Sequence, residues 1–352
     1  MYKVRRMAGE QCPPGPLSRG VGDELHAPGG AVEGAGAGNA ADVLRFLAEE
    51  AGLGRAGAAK AMDWYPRLHK YSVEGKIAPI LRFLVEGAGL GRERAAAAIT
   101  KYPKVLGFNE TTNLAPKVRY LVEEVGLGKE GAARAIAKHP KLLTVSVKEN
   151  LAPTVRYLEE ELGLGKQGAM KVVTGQPSVL SLNVDDNIAP KVRYLAEELG
   201  LGREGAVKVI IGCPAVLGLS VDDNIAPKVR YLAEEVGAGR EGAADIILKY
   251  PTLLGLSIEH KLRPTLRILA EDFPDTNAAK LVCLATYSLA GRLVPRVRLL
   301  HRHGKAGRFA ASTMAKCTPA KFCEKVGVTK EEYDAEVAAC VRELHAEKLL
   351  SP

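Results

Sequence analysis

SVDDNIAPKVRYLAEEVGAGREGAADIILKYPTLLGL, residues 220–256, contains one complete structural unit. It opens on Ser220 with an acid, Asp223, three places on, a pairing that satisfies the free amides of a helix start. Val229, Leu232 and Val236 then fall three and four apart, which places them on one helical face. Pro227 is expected in the first turn, where its missing amide costs nothing. Gly237 supplies the left-handed stop of that helix. Beyond Gly239-Arg240-Glu241-Gly242, the residues Ala243, Ile246, Ile247 and Tyr250 form a second amphipathic helix that ends at Pro251. The apolar residues Leu253-Leu254-Gly255-Leu256 are too few for a normal helix and have no partner strand, so a single tight turn is expected there.

The unit recurs. Pro66, Pro103, Pro140, Pro177, Pro214 and Pro251 are each 37 residues apart, and so are Pro79, Pro116, Pro153, Pro190, Pro227 and Pro264. Cap residues keep the same step at Ser72, Asn109, Ser146, Asn183, Ser220 and Ser257. A fixed period of this length marks a solenoid, whose units bury their apolar faces only against neighbours. The expected fold is therefore an all-α superhelical solenoid of ~37-residue helical hairpins, with the array over residues 41–300 and a helical cap over 301–352. Full copies run to about residue 262 and a degenerate one starts at Arg263. Thr329-Lys330-Glu331-Glu332 resembles another helix start, leading into Tyr333, Val337, Cys340, Val341 and Leu344.

Residues 1–40 are different in kind: rich in Gly, Pro and Ala, without apolar periodicity, and expected to be disordered. Lys3, Arg5, Arg6 and Arg19 give this segment some likeness to an organelle address, but Glu10, Asp23, Glu24 and Glu33 are uncharacteristic of one. The chain has 49 Lys and Arg against 41 Asp and Glu, a net charge of +8 that favours a polyanionic partner. No apolar run reaches the roughly 18 residues of a membrane span, so no membrane partner is expected. The six cysteines are scattered and read as reduced thiols; Cys317 and Cys323, with His301 and His303 nearby, are spaced more widely than zinc sites usually are. No phosphate loop and no nucleophile with a repeated partner is present, so neither enzyme activity nor a cofactor is expected.

In a solenoid each repeated position becomes a ladder. Arg82, Arg119, Arg156, Arg193, Arg230 and Arg267 stand three residues after the first-helix proline, with Arg45 matching in the first unit. Such a ladder suits a phosphate backbone, but Glu86, Glu123, Glu160, Glu197, Glu234 and Glu271 follow four residues on and could instead hold the arginines in surface ion pairs. A second ladder, Arg55, Arg92, Lys129, Lys166, Arg203 and Arg240, opens the second helices. There a cation opposes the helix macrodipole, which suggests an anion site beside free amides rather than a gain in stability. The aromatic ladder Phe46, Phe83, Tyr120, Tyr157, Tyr194 and Tyr231 borders the apolar face and is read as packing, while Trp64 has no counterpart in the other units.

With hairpins, paired prolines and apolar turns in hand, the chain resembles the mitochondrial transcription termination factor (mTERF) family over about residues 41–325. Residues 217–232 and the segment Tyr287-Ser288-Leu289-Ala290-Gly291-Arg292-Leu293-Val294-Pro295-Arg296 carry the likeness. The resemblance implies a basic groove that holds nucleic acid, in a mitochondrion or chloroplast. Within the family the roles implied are transcription initiation or termination, intron splicing, ribosomal RNA maturation and ribosome assembly. Double-stranded DNA is the favoured ligand, with RNA or a protein-interaction scaffold as alternatives, and a monomer is expected. Backbone contacts are assigned to the two ladders and to Arg292, Arg296 and Arg298.

Overall fold

The computed structural model describes residues 36–346, and the expectation of disorder for the first residues lies largely outside that range. The first helix, Gly36–Glu49, already takes in the end of the Gly/Ala-rich segment. Every regular element among the described residues is helical. Seven units follow one another, unit 1 to Tyr71, unit 2 from Ser72, unit 3 from Asn109, unit 4 from Ser146, unit 5 from Asn183, unit 6 from Ser220 and unit 7 from Ser257. Unit 8 starts at Ser288, and two helices, Pro319–Val326 and Lys330–Ala346, are the last elements among the described residues. The boundary expected at residue 300 falls inside a helix, since Val294–Arg302 is continuous.

Each cap acts as read. The side chains of Ser72, Asn109, Ser146, Asn183, Ser220 and Ser257 accept from the amides of Gly75, Thr112, Glu149, Asp186, Asp223 and His260. Ser288 repeats the contact in unit 8, accepting from Gly291 at 2.9 Å. In unit 6 the first helix is built from a wide π turn Val221–Ile225, an α segment Ala226–Arg230 and a second wide turn Tyr231–Glu235. This corrects the place of the proline: Pro227 lies in the second turn, not the first. A straight α-helix would drive its ring into the carbonyl four residues back. The wide turn before it, with the Ile225 amide reaching the Ser220 carbonyl at 3.1 Å, opens the helix there.

Gly237 ends this helix at φ 72° and Gly239 opens the next at φ 68°, both in the left-handed region where a side chain would be strained. The second helix, Gly239–Lys249, then passes into the 3-10 turn Pro251–Gly255. Second helices of successive units pack on one another, as do the 3-10 turns. Leu253 and Leu254 in unit 6, like Val216 and Leu217 in unit 5, are buried between units. The core is thus one continuous apolar seam from Val43 to Ala285, followed by a second cluster under the closing helices.

Candidate nucleic-acid interface

The ladder that opens the second helices is exposed at Arg92, Lys129, Lys166, Arg203 and Arg240. It also makes a contact that the sequence reading did not foresee. Arg92 donates to the Glu50 carbonyl at 2.7 Å, Arg203 to the Glu161 carbonyl and Arg240 to the Glu198 carbonyl. Each acceptor ends the first helix of the preceding unit, so the cation meets the negative end of a neighbouring macrodipole. The idea that stability offers no reason for a cation here is therefore corrected: the side chain ties adjacent units. A guanidinium has five N–H donors, so one carbonyl leaves others for an anion.

The first-helix ladder, Arg82, Arg119, Arg156, Arg193, Arg230 and Arg267, is exposed throughout. Among the described residues none of these arginines bridges to the glutamate four places on; in unit 1 Arg45 instead meets Asp42 at 3.4 Å. Two exposed acidic ladders stand beside them, Glu123, Glu160, Glu197 and Glu234, and Glu124, Glu161, Glu198 and Glu235. Asp185, Asp186, Asp222 and Asp223 add to this at the helix starts. A polyphosphate laid along this face would meet more carboxylates than guanidiniums, and like charges repel it.

The lysine after the first-helix proline contributes nothing to that face. Lys117, Lys191 and Lys228 are buried, and burial pushes their amines down from the ordinary lysine range. Lys117 donates to the Leu143 carbonyl at 2.9 Å, and Thr154, at the same position, to the Leu182 carbonyl at 3.3 Å. Both tie the first helix to the end of the unit's own 3-10 turn. The aromatic ladder also turns inward, with Phe46 and Tyr231 buried and burial raising the phenols of Tyr120, Tyr157 and Tyr194.

Arg296 occupies this same position in unit 8, directly after Pro295, and is fully buried. It donates to the carbonyls of Met314 at 2.6 Å, Ala315 at 3.3 Å and Cys317 at 2.9 Å, and lies over the rings of Phe322 and Tyr333. The assignment of Arg296 to a phosphate is thus corrected: no ligand can reach it. Arg298 is engaged too, with Glu343 at 2.7 Å and Glu336 at 3.6 Å on the last helix. Arg292 is half-buried over the Tyr287 ring. Of the three, Arg292 alone is neither fully buried nor paired with a carboxylate among the described residues.

Further exposed cations lie on the second helices. Lys60, Arg134, Lys171 and Lys208 form a ladder at the 37-residue step, in which Arg134 meets Glu130 at 3.6 Å. It is broken by Ala97 in unit 2 and Asp245 in unit 6, which is why a search for unbroken columns passes over it. Taken together, the second helices of the array carry more cations than carboxylates and the first helices more carboxylates than cations, although Glu93, Glu130, Glu204 and Glu241 are exposed on the second helices as well. Near the C-terminal end, His301 meets Asp272 and His303 meets Glu332 at 2.8 Å. Among the described residues no group of three or more His, Cys, Asp or Glu is placed to hold a metal.

An array of helical hairpins whose second helices are rich in exposed cations defines a helical-repeat protein suited to an extended polyanion. The mTERF family model matches residues 44–283 and 192–323, and the chain belongs to that family of nucleic-acid-binding helical-repeat proteins of organellar gene expression. No curated protein matches the chain. No helix among the described residues is long and apolar enough to cross a membrane.

Proposed function

We propose that this protein is a non-enzymatic regulator of organellar transcription that binds double-stranded DNA along the second-helix face. The observation that carries the reading is the exposed charge of the second helices: Lys60, Arg134, Lys171 and Lys208, with the ladder from Arg92 to Arg240, are all open to solvent, while the exposed glutamate ladders belong to the first helices. Phosphate contacts of this kind position a protein without reading sequence. Near-identical units supply few differences with which to tell bases apart, so binding is expected to be weakly selective.

The test is fluorescence anisotropy with a labelled DNA duplex between about 50 and 200 mM salt. The logarithm of affinity falls linearly with the logarithm of salt, by about 0.9 per phosphate neutralised. Lys171→Glu and Lys208→Glu each flatten the slope by about one, because neither side chain ties units together. An unchanged slope in both variants moves the interface off this face. Tighter binding of RNA by the same ladders replaces transcription with RNA processing, and loss of all binding at low salt leaves a protein scaffold.

A further inference from the structure

The ends of the second helices and the 3-10 turns depart from the repeat in the first three units. The residue following the second proline is Arg67, Lys104 and Lys141 in units 1 to 3, but Ser178, Ala215 and Thr252 in units 4 to 6. Among the described residues none of the three cations meets a carboxylate, and Arg67 and Lys141 are exposed. Arg67 sits close enough to Tyr71, and Lys141 to His139, to act on their titration. Asp63 is the acid at this edge of unit 1.

Trp64 belongs to the same edge. It is the only tryptophan in the chain and is 53% exposed. Its counterparts one and two units on are Lys101 and Lys138, so the repeat does not require an apolar group there. The indole is held edge-on to Tyr102, with centroids 5.2 Å apart and planes 60° apart, while over half its surface stays open. Beneath the edge, Tyr65 and Tyr71 share a 2.9 Å hydroxyl hydrogen bond, with the Tyr65 hydroxyl seated against Gly107 of the next unit. A rigid, exposed aromatic ring beside free cations spaced along a solenoid is the chemistry of an unpaired nucleic-acid strand: bases stack on rings while phosphates meet the cations.

We propose that this edge of units 1 to 3 is a second nucleic-acid site, for a single-stranded polynucleotide, with Trp64 as a stacking platform and Arg67, Lys104 and Lys141 as the phosphate track. A duplex keeps its bases stacked inside and offers Trp64 nothing, so the site is selective for unpaired strands. It shares with the proposed function only the premise that the partner is a polynucleotide, and uses a different set of residues.

Since Trp64 is the sole tryptophan of the chain, its own emission reports the site in the intact chain. Single-stranded RNA, single-stranded DNA and a blunt duplex of the same sequence are titrated in turn, reading tryptophan quenching together with anisotropy of the labelled strand. Quenching is expected from one or both single strands and not from the duplex, and the strand that binds tighter names the sugar preferred. Trp64→Ala lowers single-strand affinity about tenfold and leaves duplex affinity unchanged, and Trp64→Phe restores most of it. Arg67→Glu with Lys141→Glu lowers the single-strand salt slope by about 1.4, two phosphates at about 0.7 each. The proposal is overturned if neither strand quenches at low salt, or if Trp64→Ala binds both strands as well as the wild type. Loss of duplex binding with quenching retained sinks the transcription reading alone.

Discussion

Inside the array the polar residue after the first-helix proline makes one hydrogen bond or none, whereas at the end of the array it makes several. Lys117 spends a single ammonium on the Leu143 carbonyl, and Thr154 a hydroxyl on the Leu182 carbonyl. In unit 8 the same slot holds Arg296, whose guanidinium gathers the carbonyls of Met314, Ala315 and Cys317 under two aromatic rings. Inside the array, the next unit covers each hairpin and supplies most of the burial. At the end there is no next hairpin, so one side chain links unit 8 to the closing helices. A column of cations in a repeat sequence therefore does not define a surface. Two residues along an α-helix turn the side chain by about 200°, which is why the position after the proline points inward while the arginine ladder two places on faces solvent.

Arg296→Ala is the severest way to test this contrast. It leaves three carbonyl contacts unmet in a buried site, a loss of about 3 to 5 kcal/mol that urea unfolding should resolve. A loss below about 1 kcal/mol would put Arg296 on the same footing as the array lysines.

Next in size is Gly237→Ala, which forces a side chain into the left-handed φ of 72° and costs about 1 to 2 kcal/mol. In a linear array such damage stays local, so hydrogen exchange should quicken in unit 6 and its neighbours but not in unit 2. Uniform loss of protection would show that the array unfolds as one body. Ser220→Ala removes one cap hydrogen bond of 3.1 Å and costs about 1 kcal/mol, again confined to unit 6.

Lys117→Met should change stability by less than about 1 kcal/mol. The lost hydrogen bond is offset by relief of an ammonium that burial already disfavours. A large loss here would erase the distinction from Arg296. A separate test is a pH dependence at Lys261, which donates to the Tyr287 carbonyl at 2.6 Å and whose amine burial lowers from 10.5 to about 8. Between those values the unfolded chain holds a proton that the native chain has released, so stability rises with pH across the window. The urea midpoint of the wild type should accordingly gain on that of Lys261→Met from pH 8 upward, and a gain by the variant would reverse the sign.

Much of the fold was legible because its signals are local. A cap such as Ser220 bonds an amide three residues away, Gly237 adopts its φ without help, and Pro251 stops a helix through its own ring. The wide turns were not legible. They arise where a proline in the second turn must be reconciled with a continuous helix, and nothing in the residue types alone states that compromise. Of the interface, the second-helix ladder was visible as a period, whereas Lys60, Arg134, Lys171 and Lys208 were hidden by the breaks at Ala97 and Asp245.

By itself the sequence determined the hairpin, its period and the family, since each depends on interactions within one unit repeated along the chain. Which cations remain available was decided only by tertiary structure. Arg203 finds its carbonyl on Glu161, 42 residues back, and Arg298 its carboxylates on the last helix. Contacts of that reach depend on how units stack and where the stack ends. Charge has no periodicity that reveals whether a carbonyl, a carboxylate or solvent waits at the far end of a side chain.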